Sequence, residues 1–276
     1  QHSSENWIGI IVLDGGSDRK TTEIFNNFEH PKFQKYAFRE NRGPFGTRTK
    51  AIELSDTEWY FQLDGDDLLP KDAIKSVLET IQTNPDAEFI YGNCEHFSKN
   101  NSTIKIPLDD LDALCISPLF TAHSPIKISL FKRLGGFSDE LFINADWDFW
   151  LSVFENNVNG AYIDRLIYRR RQRSKNVGST HLHLRPKIVE KIIQRHPKYF
   201  YSEKRKNIAR FNVYHKLSRH YKSIGDRKNA TKHAREALKY GDSIPTFDTI
   251  FHEERMSIFR YYIRRIGRFY SSIRRL

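Results

Sequence analysis

Apolar positions in the first hundred residues fall into short runs divided by turn residues and by stretches of helical spacing. WIGIIVL (7–13) is continuous and β-branched, ends in DGGSD, and leads into a helix-like stretch over 21–28. That order predicts a buried strand, a glycine turn and a helix, the opening of a β-α unit. Residues 34–39 read as a second strand, and EWYFQLD (58–64) as a third that ends in acidic residues. Behind Pro70, which suits a first helical turn, Ala73, Val77, Leu78 and Ile81 recur at helical spacing. EFIYGNCEHF (88–97) is a further strand. After a polar connection over 98–125, PIKISLFKRLGGF predicts a short element and a helix closed by Gly135 and Gly136, and DELFINADWDFWLSVFENN an acidic loop feeding a helix. Strands alternating with helices predict an α/β fold with a mainly parallel sheet, whose ligands sit at the carboxyl ends of the strands. The acidic clusters fall at those ends.

Beyond Asp164 the pattern changes. YRRRQRSKNVGSTHLH is a basic loop, and from Arg185 the spacing is helical almost throughout, so a boundary near 200 separates an α/β domain (1–200) from an α-helical extension (201–276). Residues 212–241 have the pattern of one helix-turn-helix repeat, similar to a single tetratricopeptide unit, with Ala230, Ala234 and Ala237 on one face and Gly225 at the turn. Residues 254–276 place Phe259, Tyr262, Ile266 and Phe269 on one stripe and arginines on much of the remainder.

Composition sharpens this division. The chain has 276 residues, and its 38% hydrophobic and 13% aromatic content is enough to bury a core, which excludes disorder despite 29% charged residues. The net charge of +11 averages two unlike parts: residues 1–164 hold 15 basic and 26 acidic side chains, residues 165–276 hold 30 and 8. Cys94 and Cys115 are too few for a disulfide framework, which points to a reducing, cytoplasmic compartment. No uncharged apolar run reaches 18 residues. The chain opens on Gln1 and its one Met is Met256, so a cut N-terminus is expected.

The strongest chemical signal is LDGDDLLP, where Asp64, Asp66 and Asp67 crowd a strand end. Carboxylates this close repel one another unless a cation or hydrogen bonds relieve them, and such oxygen clusters suit Mg²⁺ or Mn²⁺; the alternative is a solvated turn capping the next helix. A hard cation with open positions is completed by substrate phosphates, so the cluster predicts a phosphate-bearing ligand. In ADWDFW, Asp146 and Asp148 lie beside Trp147 and Trp150. An acid against aromatic surface suits general-base work and indole faces can stack on sugar rings; the alternative is a helix-capping Asp.

Four segments, in order, resemble the family-2 inverting glycosyltransferases, over roughly residues 7–174. IIVLDGGSD is similar to that family's strand followed by DDGSxD, NRGPFGTRT to its N-x-G-x-x-x-A-R-N, FQLDGDDLLP to its D-x-D-D, and GGFSDELFINADWDFW to its GGFDE followed by E-D-W-D-L-W. The resemblance implies a GT-A fold, Rossmann-like, with a mainly parallel sheet flanked by helices. It implies that Asp14 contacts the base of a nucleotide, that Arg48 lines the nucleotide and diphosphate site, and that Asp64 and Asp66 form the D-x-D pair, with Asp66 most directly on Mn²⁺ or Mg²⁺. Asp146 would be the catalytic base, Trp147 a donor contact, and Arg171 a group that can meet the diphosphate. The sequence departs from the pattern at Gly15, Thr47, Thr49, Ala145 and Arg171, the last standing where many members carry the His of Y-R-x-H, with His181 and His183 nearby. The family's first strand is expected upstream of Gln1.

The implied activity is transfer of a sugar from a nucleotide-diphosphate donor, a UDP-sugar, to a glycan or lipid-linked acceptor in bacterial surface-polysaccharide synthesis. A non-catalytic carbohydrate- or nucleotide-binding scaffold of the same fold, and a metal-dependent nucleotidyltransferase, are the competing readings. The basic extension carries no nucleic-acid reading module, and the acidic front half repels a polyanion, so nucleic acid is excluded as a partner. An anionic membrane surface is expected instead: the last helix would span about 35 Å, and each Arg near an anionic leaflet contributes about 1 kcal/mol. The alternative is a helix that packs its stripe on the domain.

Overall fold

A computed structural model describes residues 7–97, 102–104, 123–172 and 181–240. Strand β1 (Gly9–Leu13) pairs in parallel with β2 (Phe33–Ala37) across helix α1 (Arg19–Asn27), the β-α-β unit that the first apolar run predicts. Asp18 caps α1 by accepting from the Thr21 amide at 2.9 Å. Helix α2 (Gly43–Glu53) follows, and then β3, which holds only Trp59 and Tyr60. The chain from Phe61 to Asp67 leaves the ladder there, which frees its carboxylates to turn inward as a loop.

A second sheet is built on β4 (Phe89–Phe97). Its longest partner is β7 (Gly160–Arg171), in parallel, with an irregularity at Asn93; β5 (Ser102–Ile104) and β6 (Ile126–Lys127) pair antiparallel to β4, and β3 antiparallel to β6. The fold is thus α/β, and the two long ladders are the parallel ones. Helix α3 (Ala73–Thr83) turns its predicted stripe inward: Ala73 and Val77 are buried, and Val77 joins Ala87, Ile90, Ala161, Ile163 and Ile167, with Ile81 packed on that cluster. Helix α4 (Ile128–Arg133) and helix α5 (Ala145–Glu155) share an aromatic core in which Phe131 meets Phe137 and Phe149, and Trp150 meets Phe89. Helix α6 (Arg185–Arg195) closes this part with Ile188, Val189, Ile192 and Ile193 buried.

By internal contacts, the described chain forms one compact unit up to residue 201 and another from residue 202 onward. In the second, α7 (Glu203–Ser223) and α8 (Arg227–Leu238) form a hairpin. Gly225 turns it at φ +81°, a left-handed conformation that a side chain disfavours. Ser218 Oγ donates to the Ala230 carbonyl at 2.9 Å, and rings stack across the pair: His233 on Tyr221 and on Tyr214. Residues 254–276, with their arginine-lined stripe, lie outside the described residues. No described helix is long and apolar enough to cross a membrane.

Candidate active site

Asp14 ends β1. Its Oδ1 accepts from the amides of Gly15 at 3.0 Å and Arg42 at 2.9 Å, which ties the strand end to the loop that enters α2. The approach is close: a Cβ on Gly15 would stand 2.3 Å from the Glu40 carbonyl carbon. This explains the glycine where the resembled pattern has a second Asp.

From α2, Arg48 Nη2 donates to both oxygens of Asp64, at 2.9 and 3.0 Å, and Gln62 donates to the same carboxylate at 2.8 Å. Burial works against ionisation of Asp64, but the charge and hydrogen bonds of Arg48, with the bond from Gln62, outweigh it and hold its pKa below the usual carboxylate value. The turn from Asp64 is closed by the Asp67 amide donating to the Asp64 carbonyl at 3.0 Å, and Leu68 exchanges two backbone bonds with Arg169 of β7. Asp67 is buried: its Oδ2 accepts from Tyr168 Oη at 2.8 Å and its Oδ1 from the Arg171 amide at 2.7 Å. Burial raises the pKa of Asp67, and burial keeps the Tyr168 hydroxyl protonated, so Tyr168 remains a donor. Arg171 Nε donates to the Asp66 carbonyl at 2.8 Å, and its guanidinium lies over Phe97. Arg171 therefore fastens the acidic turn to β7.

His123 completes the cluster. It is buried, stacks on Tyr168 with ring centroids 3.9 Å apart, and places Nε2 4.0 Å from Asp64 and 3.9 Å from Asp67. Burial pushes its pKa down to about 3, so the imidazole is neutral and keeps a lone pair at physiological pH. One donor atom each from Asp64, Asp67 and His123 lie within 4.8 Å of one another. Asp66, His181 and His183 do not belong to this group; His181 instead packs edge-on against Phe142.

Asp146 lies in the first turn of α5, with its Oδ1 accepting from the Trp147 amide at 3.0 Å. Its surroundings bury the carboxyl and push its pKa up, while Arg48 and Arg170 oppose the rise. Arg48 thus acts on both acidic groups, although Asp64 and Asp146 are far apart in the chain. The expectation that Trp147 and Trp150 offer faces to a sugar is not met. Trp147 is 2% exposed and Trp150 0%, because both rings point into the core that holds α5. Asp148 is no surface cap: it is buried, takes two bonds from Arg195 at 2.7 and 3.1 Å, and lies 2.9 Å from His196 Nε2, which fastens α5 to α6.

Arg48 thus links Asp64 and Asp146, which belong to motifs far apart in the chain. The glycosyl transferase family 2 model matches residues 4–132. That match covers just under half of this chain. An "Uncharacterized glycosyltransferase" of Haemophilus influenzae is 26% identical over 164 residues, which are 56% of this chain and 54% of that protein. The chain therefore spans about half the length of the curated relative it matches. Among solved structures, S. aureus TarS superposes with a TM-score of 0.56 at 14% identity, over 86% of this chain and 43% of that one. A shorter TarS fragment, crystallised in complex with UDP, gives a TM-score of 0.51 at 13% identity, over 83% and 81%. At such identities the likeness is one of fold, the GT-A type.

Three site residues are not among those the sequence singles out for a role. Asp67 stands within the quoted D-x-D-D, but nothing in its spacing distinguishes it from Asp66. Tyr168 reads as an ordinary inward position of β7. His123 falls in a polar connection without periodicity.

Proposed function

We propose that the protein is an inverting glycosyltransferase that moves a sugar from a nucleoside-diphosphate donor, a UDP-sugar, to a glycan or lipid-linked acceptor in bacterial surface-polysaccharide synthesis. The observation that carries this is the shared cation: Arg48 is bonded to Asp64 and acts electrostatically on Asp146. A donor diphosphate on the Arg48 side and an acceptor hydroxyl on the Asp146 side would then meet at one place. Asp146 takes the proton of the acceptor hydroxyl as that oxygen bonds to the anomeric carbon, and the bond from that carbon to the diphosphate oxygen breaks on the opposite face. A carboxyl with a raised pKa is the stronger base for this step. Arg48 and Arg171 bear on the departing diphosphate, and Asp14 on the nucleotide base.

A divalent cation, Mn²⁺ or Mg²⁺, fits the donor set: two carboxylates and a neutral imidazole converge, with Asp66 adjoining in the same turn. Asp64, Asp67 and His123 would hold it, and when bound it supplies positive charge against the leaving diphosphate. The basic C-terminal stretch would keep the enzyme at the cytoplasmic face of an anionic membrane. The test is Asp146→Asn: UDP affinity measured by calorimetry in Mn²⁺ should persist while sugar transfer falls about a thousandfold or more. Retained turnover removes Asp146 as the base, and absence of UDP binding by the wild-type protein removes the donor site.

A further inference from the structure

Gln62 meets two of the three residues of the donor set. Its Nε2 donates to Asp64 Oδ1 at 2.8 Å and lies 3.4 Å from His123 Nδ1, while its Oε1 is buried with no hydrogen-bond partner. The carboxylate decides which end of the amide is which: an oxygen 2.8 Å from the ionised Asp64 would be repelled, so the end beside it is the NH₂. The same NH₂ then faces Nδ1, and an N–H on that nitrogen would oppose it. Nδ1 is therefore the bare nitrogen of the neutral ring, and the proton sits on Nε2. Nε2 lies 4.0 Å from Asp64 and 3.9 Å from Asp67, where two carboxylates favour an N–H over a lone pair. This is the wrong tautomer for a ligand, because the nitrogen that converges with the carboxylates has no free pair.

We propose that Gln62 is a positioning residue that sets the tautomer of His123: its NH₂ holds the metal-free ring as Nε2–H, and its amide reverses on metal binding so that Oε1 accepts from Nδ1–H. The inference rests on the reading of Asp64, Asp67 and His123 as metal ligands. A ligating imidazole donates its other ring N–H to an acceptor, and the Gln62 amide stands at hydrogen-bond distance from Nδ1. The ring gives up one proton at Nε2 and takes one at Nδ1, so its charge does not change. Reversal breaks no bond at Oε1, which has none, and gives up the bond to Asp64, whose two oxygens Arg48 still holds at 2.9 and 3.0 Å. The amide oxygen then lies beside a carboxylate whose charge a bound cation offsets.

The test records long-range proton–nitrogen correlation spectra of the full chain carrying isotope-labelled histidine, with the signals missing from His123→Ala identifying the ring. In the metal-free protein Nε2 should appear as the protonated nitrogen and Nδ1 as the bare one; in saturating Mg²⁺, a diamagnetic probe, Nδ1 should become the protonated one. Gln62→Glu, which places only oxygens at Nδ1, should show Nδ1–H without metal, whereas a merely structural role would leave the tautomer as it is in the wild type. Nδ1–H in the metal-free wild type overturns the proposal, as does Nε2–H in metal-free Gln62→Glu, or Nε2–H persisting in the wild type while calorimetry shows Mg²⁺ bound. If Gln62→Glu does not fold, the wild-type spectra with and without Mg²⁺ decide. If calorimetry shows no cation bound by the wild type, the metal reading falls; the metal-free spectra of wild type and Gln62→Glu still decide whether Gln62 sets the tautomer.

Discussion

Replacing Asp148 by Ala should unfold the site from behind without touching substrate. Asp148 is buried and receives two bonds from Arg195 at 2.7 and 3.1 Å, and His196 Nε2 stands 2.9 Å from it. The other ring nitrogen of His196 lies 3.0 Å from Glu155, whose second oxygen accepts from the Tyr199 amide at 2.8 Å. Two carboxylates of α5 thus grip the end of α6 and the turn after it. The Arg195 side chain is 43% exposed, so water can replace part of what it loses, and its share is about 1 kcal/mol or less. His196 is 4% exposed, and in the variant one of its nitrogens stays buried with nothing facing it, at about 1–3 kcal/mol. The sum, about 1–4 kcal/mol, reaches at its upper end the 3–5 kcal/mol typical of a broken buried pair. Urea unfolding followed by the fluorescence of Trp147 and Trp150, two residues of α5 itself, measures it. The pH dependence has a definite sign. Burial would raise the Asp148 pKa, but the bonds from His196 and Arg195 prevail and lower it. A lowered folded pKa gives stability that is present above the unfolded value of about 4 and lost as pH falls through the folded one. The wild type should therefore lose this contribution in acid below pH 4, and Asp148→Ala should show no such loss from this site. A destabilisation under about 0.5 kcal/mol, the size of an ordinary surface substitution, would refute the argument that α5 is clamped to α6 through Asp148.

Two further outcomes concern the reaction site. His123→Ala should weaken Mn²⁺ binding about tenfold or more, read from the free-ion electron paramagnetic resonance signal without any substrate; equal affinity would remove the imidazole from the donor set. The acid limb of the pH dependence of kcat/KM should lie above the ordinary carboxylate range, because burial raises the Asp146 pKa and the base works only when ionised, so the rate falls as pH drops through that raised value. A limb at or below pH 4 would separate Asp146 from proton transfer.

Much of the fold is legible along the chain, and what is not has identifiable causes. Periodicity locates α1, α3, α4 and α5 within a few residues, because each buries a stripe whose spacing is the spacing of the helix. It overextends β3, since the apolar residues of EWYFQLD pack inward after the ladder has ended, and burial without pairing looks the same in sequence. Near the site the difficulty is of another kind. The Trp147 and Trp150 indoles and the Asp148 carboxylate sit within one turn of helix, and sequence alone cannot orient that turn. The orientation comes from Arg195 and His196, some 47 residues later. Arg48 and Asp64 are recognisable through local motifs that resemble a family, but their bond is a tertiary fact.

His123 shows why the metal-side residues are the hardest to foresee. The resembled pattern places a histidine at the position of Arg171, and here the Arg171 backbone amide and guanidinium Nε hold the acidic turn to β7. An imidazole nevertheless stands against the same carboxylates, delivered by a segment that carries no motif, and Tyr168 supports it by stacking on its ring while donating to Asp67. One tyrosine thereby orders both the nitrogen and an oxygen of the donor set. The arrangement requires the hydroxyl to act as a donor, so ring stacking alone does not suffice. Tyr168→Phe keeps the stack, removes the bond to Asp67, and leaves that buried carboxylate with one fewer donor to fix it. The donor set is therefore built by packing of side chains from β7 and the 123 loop, and the acidic motif supplies only part of it.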